Sequence, residues 1–303
     1  GASVIVFVFL VPYTASLYNG LSRLFGMAFN IDYSVCVIAM AALTGVYVIA
    51  GGYMATAIND FIQGLIMLGG IVAVIAAVLS GHGGFMASLE ELAARIASEK
   101  PDMVALQEVD CHTRREGIPH QHGKDFATEL GFRTGMFPLY GKTIAFAGGW
   151  YGIGLLTARP YLGVRKLMLP QASAQAESRA LLLVTVEVGQ DTVVFASTHL
   201  GLSEESRRMQ TECILNELKR SRYPVLLGGD FNAEPDAAEI AAMTSGCDLL
   251  CGMQPTFPAD APDVKIDYLF GYPAGRWTLE STRIMPSGLS DHRAIVSVVA
   301  LAR

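Results

Sequence analysis

Up to Gly84 the chain carries only three charged side chains, Arg23, Asp32 and Asp60. A water-soluble surface cannot be built from so few charges. Tyr33–Gly52 and Phe61–Ser80 contain none at all, and each is long enough for a helix of ~20 residues across a hydrocarbon core of ~30 Å. A third apolar stretch, Ala2–Leu17, is interrupted by Pro12. Glycine and alanine are frequent here (Gly45, Gly51, Gly52, Gly64, Gly69, Gly70), as at close contacts between membrane helices. Residues 1–84 therefore read as an all-α membrane segment of two to three transmembrane helices, in contact with a lipid bilayer. Asn59 and Asp60 open the last of these runs and suit a helix cap.

The remaining residues carry 21 basic against 26 acidic side chains. That is an ordinary, mildly acidic globular composition, which disfavours binding to duplex DNA by phosphate neutralisation alone. The five cysteines are odd in number and irregularly spaced, and they form no zinc pattern. Leu89, Leu92, Ala93 and Ile96 recur at helical spacing until Pro101 ends the helix. Short apolar runs predict strands at Val104–Leu106, Gly152–Thr157, Ala180–Val188, Thr192–Ser197, Val225–Leu227, Ile266–Phe270 and Ala294–Val299. Helices fit Lys124–Leu130, Glu204–Arg220 and Ala237–Met243. Many strands with few helices predict an α+β domain over residues 89–303, layered around stacked sheets.

Polar motifs close several of these runs: Gln107-Glu108, Ser197-Thr198-His199, Gly229-Asp230-Phe231-Asn232, Lys265-Ile266-Asp267-Tyr268 and Ser290-Asp291-His292. Hydrolysis of a phosphoester requires charge neutralisation, an activated water and help for the leaving oxygen. Glu108 at a strand end is a natural ligand for Mg²⁺, which binds through oxygen and keeps several waters. Asp230 and Asn232 alternate and so project to one side. His292 titrates near neutrality, and a carboxylate beside it would fix its tautomer. His112, Arg114, Arg115, His120, His122 and Lys124 form a cationic cluster just after Glu108, suited to attracting a phosphorylated ligand.

Two resemblances rest on these motifs. Val46 to Gly52 with Asn59-Asp60-Phe61-Ile62-Gln63 resembles the sodium:solute symporter family, over about residues 1–90. Such transporters need two bundles moving about a midplane site, more than three helices supply. From Leu89 onward the ordered motifs, with Gly148-Gly149-Trp150-Tyr151-Gly152, resemble the endonuclease/exonuclease/phosphatase superfamily. That resemblance implies a four-layer architecture, a two-sheet β-sandwich flanked by helices, with the site at one end. It implies Glu108 as a metal ligand and Asp291 near the metal, with Mg²⁺ or alternatively Mn²⁺. It further implies His199 as a phosphate contact, Asp230 acting on the attacking water beside Asn232, and Asp267 holding His292. It offers Tyr151 and Arg179 as lesser candidates for phosphate contact, with a structural salt bridge to Glu177 an equal alternative for Arg179.

The family opens with a strand before its first helix, where this chain has Gly81-His82-Gly83-Gly84-Phe85-Met86. The expected function is metal-dependent hydrolysis of a phosphoester on a membrane-anchored, cytoplasmic-side domain. Its substrate would be a phosphorylated small molecule, a lipid headgroup or a nucleic acid. The alternatives are an inactive relic or artefactual fusion of a symporter fragment with a truncated hydrolase, and a phosphoryl-ligand binding module without turnover.

Overall fold

The computed structural model describes residues 31–46, 84–116, 121–286 and 288–302, together with residues 15, 19, 20, 22, 23 and 49. The chain divides into two compact units, Gly1–Gly81 and His82–Arg303.

In the first unit a helix covers residues 33–46. Asp32 opens it by accepting the Ser34 backbone N–H at 2.8 Å. Arg23 lies 5.7 Å from the Tyr33 ring centroid, and both side chains donate to Asn19. The expectation of two to three transmembrane helices is corrected here. Among the described residues no helix is long and apolar enough to cross a membrane. The described stretch of helix, residues 33–46, covers at ~1.5 Å per residue less than a ~30 Å hydrocarbon core. The run Phe61–Ser80 and nearly all of Ala2–Leu17 lie outside the described residues.

The second unit is built of four layers. Its elements in chain order are α1 (Gly84–Glu99), β1 (Met103–Cys111), α2 (Phe126–Thr134), β2 (Phe137–Phe146), β3 (Gly149–Thr157), β4 (Tyr161–Met168), β5 (Ala180–Val188) and β6 (Asp191–His199). There follow α3 (Glu204–Lys219), β7 (Val225–Asp230), α4 (Ala238–Gly246), β8 (Asp248–Leu249), β9 (Asp267–Tyr272), β10 (Trp277–Ile284) and β11 (Ile295–Leu301). The large sheet runs β4-β5-β6-β7-β9-β8, a second sheet runs β1-β3-β2, and β10 pairs with β11.

Strand β5 shows why the layers stack. Ala180, Leu182, Val184 and Val186 join the core between the sheets, with Ile153, Leu155, Phe195 and Leu226. Leu181 and Leu183 point the other way, onto Ile214 and Leu218 of α3 and Ile240 and Met243 of α4. Side chains alternate across a strand, so a strand covered on both faces is apolar throughout. On the outer face of the smaller sheet, α1 and α2 contribute Leu89, Ala93 and Leu130 against Leu156. The sandwich flanked by helices thus agrees with the sequence reading.

Strands β2, β4, β8 and β10 had no sequence-based expectation. Strand β4 is exposed along almost its whole length, and β10 alternates exposed with partly buried residues beyond Trp277, so neither presents an apolar run. Among the described residues no strand precedes α1; β1 pairs only with β3 and β11 only with β10. Each therefore keeps one open edge there. Arg283 of β10 pairs with Glu99 of α1, and Arg95 donates to the Pro286 carbonyl at 3.0 Å, so side chains tie α1 to the ribbon.

Gly228 and Gly229 are set by close approach. A Cβ at Gly229 would lie 2.4 Å from the Thr198 carbonyl oxygen, and one at Gly228 3.0 Å from Ala105 Cβ. Gly229→Ala is expected to lower unfolding stability by about 1–3 kcal/mol, the usual cost of overpacking. Chemical denaturation at neutral pH measures it, and an unchanged midpoint would contradict this packing.

Candidate active site

The site is assembled by strand register. Parallel pairing of β6 with β7 sets His199 beside Asp230, and antiparallel pairing of β7 with β9 sets Asp230 beside Asp267. Three functional side chains thus stand abreast at the ends of three neighbouring strands. The segment before β11 adds His292, whose Nδ1 lies 2.9 Å from Asp267 Oδ2. Phe257 packs on the His292 ring with centroids 4.9 Å apart.

Arg179 immediately precedes β5. Its Nη1 donates to His199 Nδ1 at 3.0 Å and also lies 3.1 Å from Glu177 Oε1. A guanidinium can only donate, so Nδ1 of His199 accepts and the ring proton sits on Nε2, 3.4 Å from Asp230 Oδ2. Asp230 Oδ1 accepts the Asn232 backbone N–H at 2.8 Å. The Asn232 amide turns away and donates to the Leu200 carbonyl at 3.0 Å, so it braces the loop after β7. Asn232 and Glu108 both adopt positive φ, 48° and 56°, a conformation that costs energy in residues with a Cβ and clusters at functional sites.

Burial separates the protonation states. His199 is 3% exposed and Asp230 5% exposed. Burial first, then the Arg179 and His292 charges, push His199 down to about 3. It is therefore neutral at pH 7, and its contact with Asp230 is not an ion pair. Burial and the Asp267 charge push Asp230 up to about 7, against the Asn232 hydrogen bond. His292 behaves oppositely: its hydrogen bond to Asp267 outweighs burial and raises it to about 9, and Asp230 and Asp291 add to the effect.

Two sequence-predicted metal ligands stand apart from this convergence. Among the described residues the only trio of donors within 4.8 Å of one another is Asp230, Asp267 and His292, which includes neither Glu108 nor Asp291. The β1–β3 register slips between Leu106 and Val109, and this bulge carries Glu108 to the Tyr151 phenol. Burial and the hydrogen bond with Glu108 hold that phenol well above its usual range. Asp291 is exposed, and its backbone carbonyl accepts the Ala259 N–H at 2.7 Å. The trio's Asp230 and Asp267 offer carboxylate oxygens to a divalent cation, whereas His292 has no lone pair to give while it keeps its proton. Mg²⁺ favours the oxygens alone, whereas Mn²⁺ also accepts imidazole.

Sequence reasoning attached no role to Lys265 or Phe257. Lys265 is buried; its Nζ donates to the Asp267 carbonyl and lies 4.7 Å from the Tyr268 ring centroid, holding the start of β9. Its position two residues before Asp267 was the only available signal. For Phe257, 35 residues from its histidine, no signal existed.

The comparisons with known proteins agree with this fold. A model of the endonuclease/exonuclease/phosphatase family matches residues 79–292, and the chain belongs to that family. A model of the sodium:solute symporter family matches residues 2–139. Among solved structures, mannosyl-6-phosphatase from Bacteroides thetaiotaomicron aligns with a TM-score of 0.59 at 14% identity, over 75% of this chain and 95% of that one. The human Nocturnin catalytic domain aligns with a TM-score of 0.56 at 18% identity, over 73% and 89%. At these identities the likeness establishes the fold. Among curated relatives, the sodium/proline symporter of Staphylococcus aureus is 39% identical over 83 residues, 27% of this chain and 16% of the symporter. The osmoregulated proline transporter of Bacillus subtilis is 31% identical over 91 residues, 30% and 18%. The chain thus spans less than a fifth of the length of these relatives.

The Asp267–His292 pair makes a testable contribution. The folded-state pKa of His292, about 9, exceeds the ordinary value of 6.5, so the pair's stabilisation is complete below pH 6.5 and lost as pH rises through about 9. In metal-free protein, Asp267→Asn is expected to bring the His292 titration down toward 6.5 by NMR. The stability deficit of that variant should shrink between pH 6.5 and 9. A His292 titration unmoved by the substitution would contradict the pairing.

Proposed function

We propose that the second unit is a Mg²⁺-dependent phosphoric ester hydrolase that drives an activated water onto a phosphoester. The observation that carries this reading is the adjacency of Asp230, Asp267, His199 and His292 at one end of the sandwich, with protonation preferences driven apart by burial and pairing. Family membership supports phosphoester chemistry in general; the specific activity and metal are our inference.

The attacking water needs a proton acceptor whose pKa lies near the working pH. Asp230, raised to about 7, has that property, and Asn232 holds its carboxylate in place from the backbone. The phosphoryl oxygens need donors. His292 retains its proton up to about 9 and is oriented by Asp267. His199 offers its Nε2 proton, since Arg179 occupies Nδ1. Arg179 retains a buried Nε without a hydrogen-bond partner, donor capacity that suits a phosphoryl oxygen, whereas the single proton of the Tyr151 hydroxyl is engaged with Glu108. The groups that would hold a divalent cation are the Asp267 carboxylate and, as further oxygen donors, Glu108 and Asp291, which leaves Asp230 free to take the proton. When bound, it would neutralise phosphoryl charge and polarise the P–O bond.

The substrates in view are a phosphorylated small molecule, a lipid headgroup or a nucleic acid. The likeness of residues 2–139 to symporters supports association of the N-terminal region with a membrane. Transport is not proposed, because the chain spans so little of those relatives.

Hydrolysis of methyl p-nitrophenyl phosphate by the full chain, with and without Mg²⁺, tests the reading. Asp230→Ala and His292→Ala are each expected to lower kcat by about 10²- to 10⁴-fold, and chelation to abolish turnover. The pH profile should be bell-shaped. Its acid limb lies at or below about 7, where Asp230 loses its proton, and its alkaline limb near 9, where His292 does. Metal-independent turnover, or variants as active as the parent, would sink the proposal.

A further inference from the structure

The face of the β2–β3 hairpin beside Glu108 carries a built platform outside the catalytic cluster. Tyr151 is paired with Asp110 of β1 and with Ile144 of β2. Cross-strand partners share a face, and Phe146, two residues beyond Ile144, shares it too. The Phe146 and Tyr151 ring centroids are 5.9 Å apart. Arg115 lies over both, its guanidinium carbon 4.6 Å from the Phe146 centroid and 5.5 Å from that of Tyr151. Asp110 fixes the guanidinium from the side, 2.9 Å from Nε and 3.1 Å from Nη2.

This platform is pre-organised. Ala147 and Gly148 both have positive φ, 44° and 76°, as a two-residue hairpin turn requires. The loop bearing Arg115 is strapped to that turn by the Arg114 N–H on the Ala147 carbonyl at 2.7 Å. Beside it, a Cβ at Gly149 would lie 2.3 Å from the His112 carbonyl carbon. Yet Phe146 remains 40% exposed, and the Arg115 side chain 36%. An arginine held over two rings tilted 53° to one another, partly open to solvent and on the face where Tyr151 meets Glu108, offers a cationic aromatic surface to a flat base that carries a phosphate. A lipid headgroup or a plain sugar phosphate has no such ring.

We propose that Phe146, Tyr151 and Arg115 form a subsite for the base of a nucleotide whose phosphate lies at the catalytic cluster. The nucleotide is either free or the terminal unit of a single strand. This assignment rests on the phosphohydrolase reading and gives it a substrate class. Neither Phe146 nor Arg115 has a part in the bond-breaking step.

The test compares two esters with the same leaving group, thymidine 5′-(p-nitrophenyl phosphate) and methyl p-nitrophenyl phosphate, on the full chain. Phe146→Ala is expected to raise KM for the nucleotide ester about 10-fold, corresponding to ~1.4 kcal/mol, within the usual worth of a base–aromatic stack. KM for the methyl ester should stay within about 2-fold. Arg115→Lys, which keeps the charge but loses the planar face, should show the same selectivity more weakly. Equal effects on both esters, or none, would overturn the subsite while leaving the hydrolase reading intact. If the parent turns over neither ester, that reading fails, and equilibrium dialysis with AMP decides the subsite. Weaker AMP binding by Phe146→Ala supports it, and unchanged or absent binding overturns it. Dialysis with hexathymidylate separates the sources: a strand end binds more tightly than AMP, whereas a free-nucleotide site does not.

Discussion

Hydrogen-bond register among β6, β7 and β9 is the constraint on which the rest of the second unit depends. Because Thr198 pairs with Gly229 and His199 with Asp230, a slip of one residue would turn every side chain to the opposite face. The parallel pairing of β6 and β7 also demands a crossover, which α3 supplies while covering the sheet with Ile214 and Leu218. Gly228 and Gly229 let the strand sit against Ala105 and Thr198, so no neighbouring register is equally comfortable. The same contacts that stabilise the sandwich therefore hold His199, Asp230 and Asp267 in line.

Burial then converts alignment into chemistry. Two carboxylates side by side under a packed sheet cannot both hold charge cheaply. Asp230, with no cationic partner in hydrogen-bond contact, is raised, whereas Asp267 has His292 to share its charge. His199 is held neutral by burial and by the arginine at its Nδ1. One fold thus creates a carboxylate poised near neutrality beside an imidazolium that persists well above it, the division of labour that acid–base catalysis requires.

The unit's weak side is the smaller sheet. Among the described residues β1 and β11 each keep an unpaired edge, where Arg283–Glu99 and Arg95–Pro286 contribute only exposed polar contacts. Such contacts are worth little individually. His199, Asp230 and Asp267 stand on the larger sheet, buried on both faces, whereas Glu108 and Tyr151 stand on the smaller one. The symporter-like segment matches a family model that overlaps this smaller sheet, through residue 139.

Most of the large sheet was legible in the sequence, because strands buried on both faces must be apolar along their covered length, as Ala180–Val184 and Val225–Leu227 are. The motif ends Asp230, Asp267 and His292 were legible for the same reason: each polar group interrupts or closes an apolar run. Edge strands such as β4 escaped notice because half-exposed strands mix residue types. The charge-poor first 84 residues were read as membrane helices from length and composition alone, yet among the described residues no helix is long and apolar enough to cross. What the sequence determined by itself was the order of the motifs and which segments must be buried, since those follow from local pattern. Only the tertiary structure decided that His199, Asp230, Asp267 and His292 converge while Glu108 turns to Tyr151, and that Arg115 stacks on Phe146. Those outcomes depend on strand register and a bulge, which are set by packing between segments far apart in the chain.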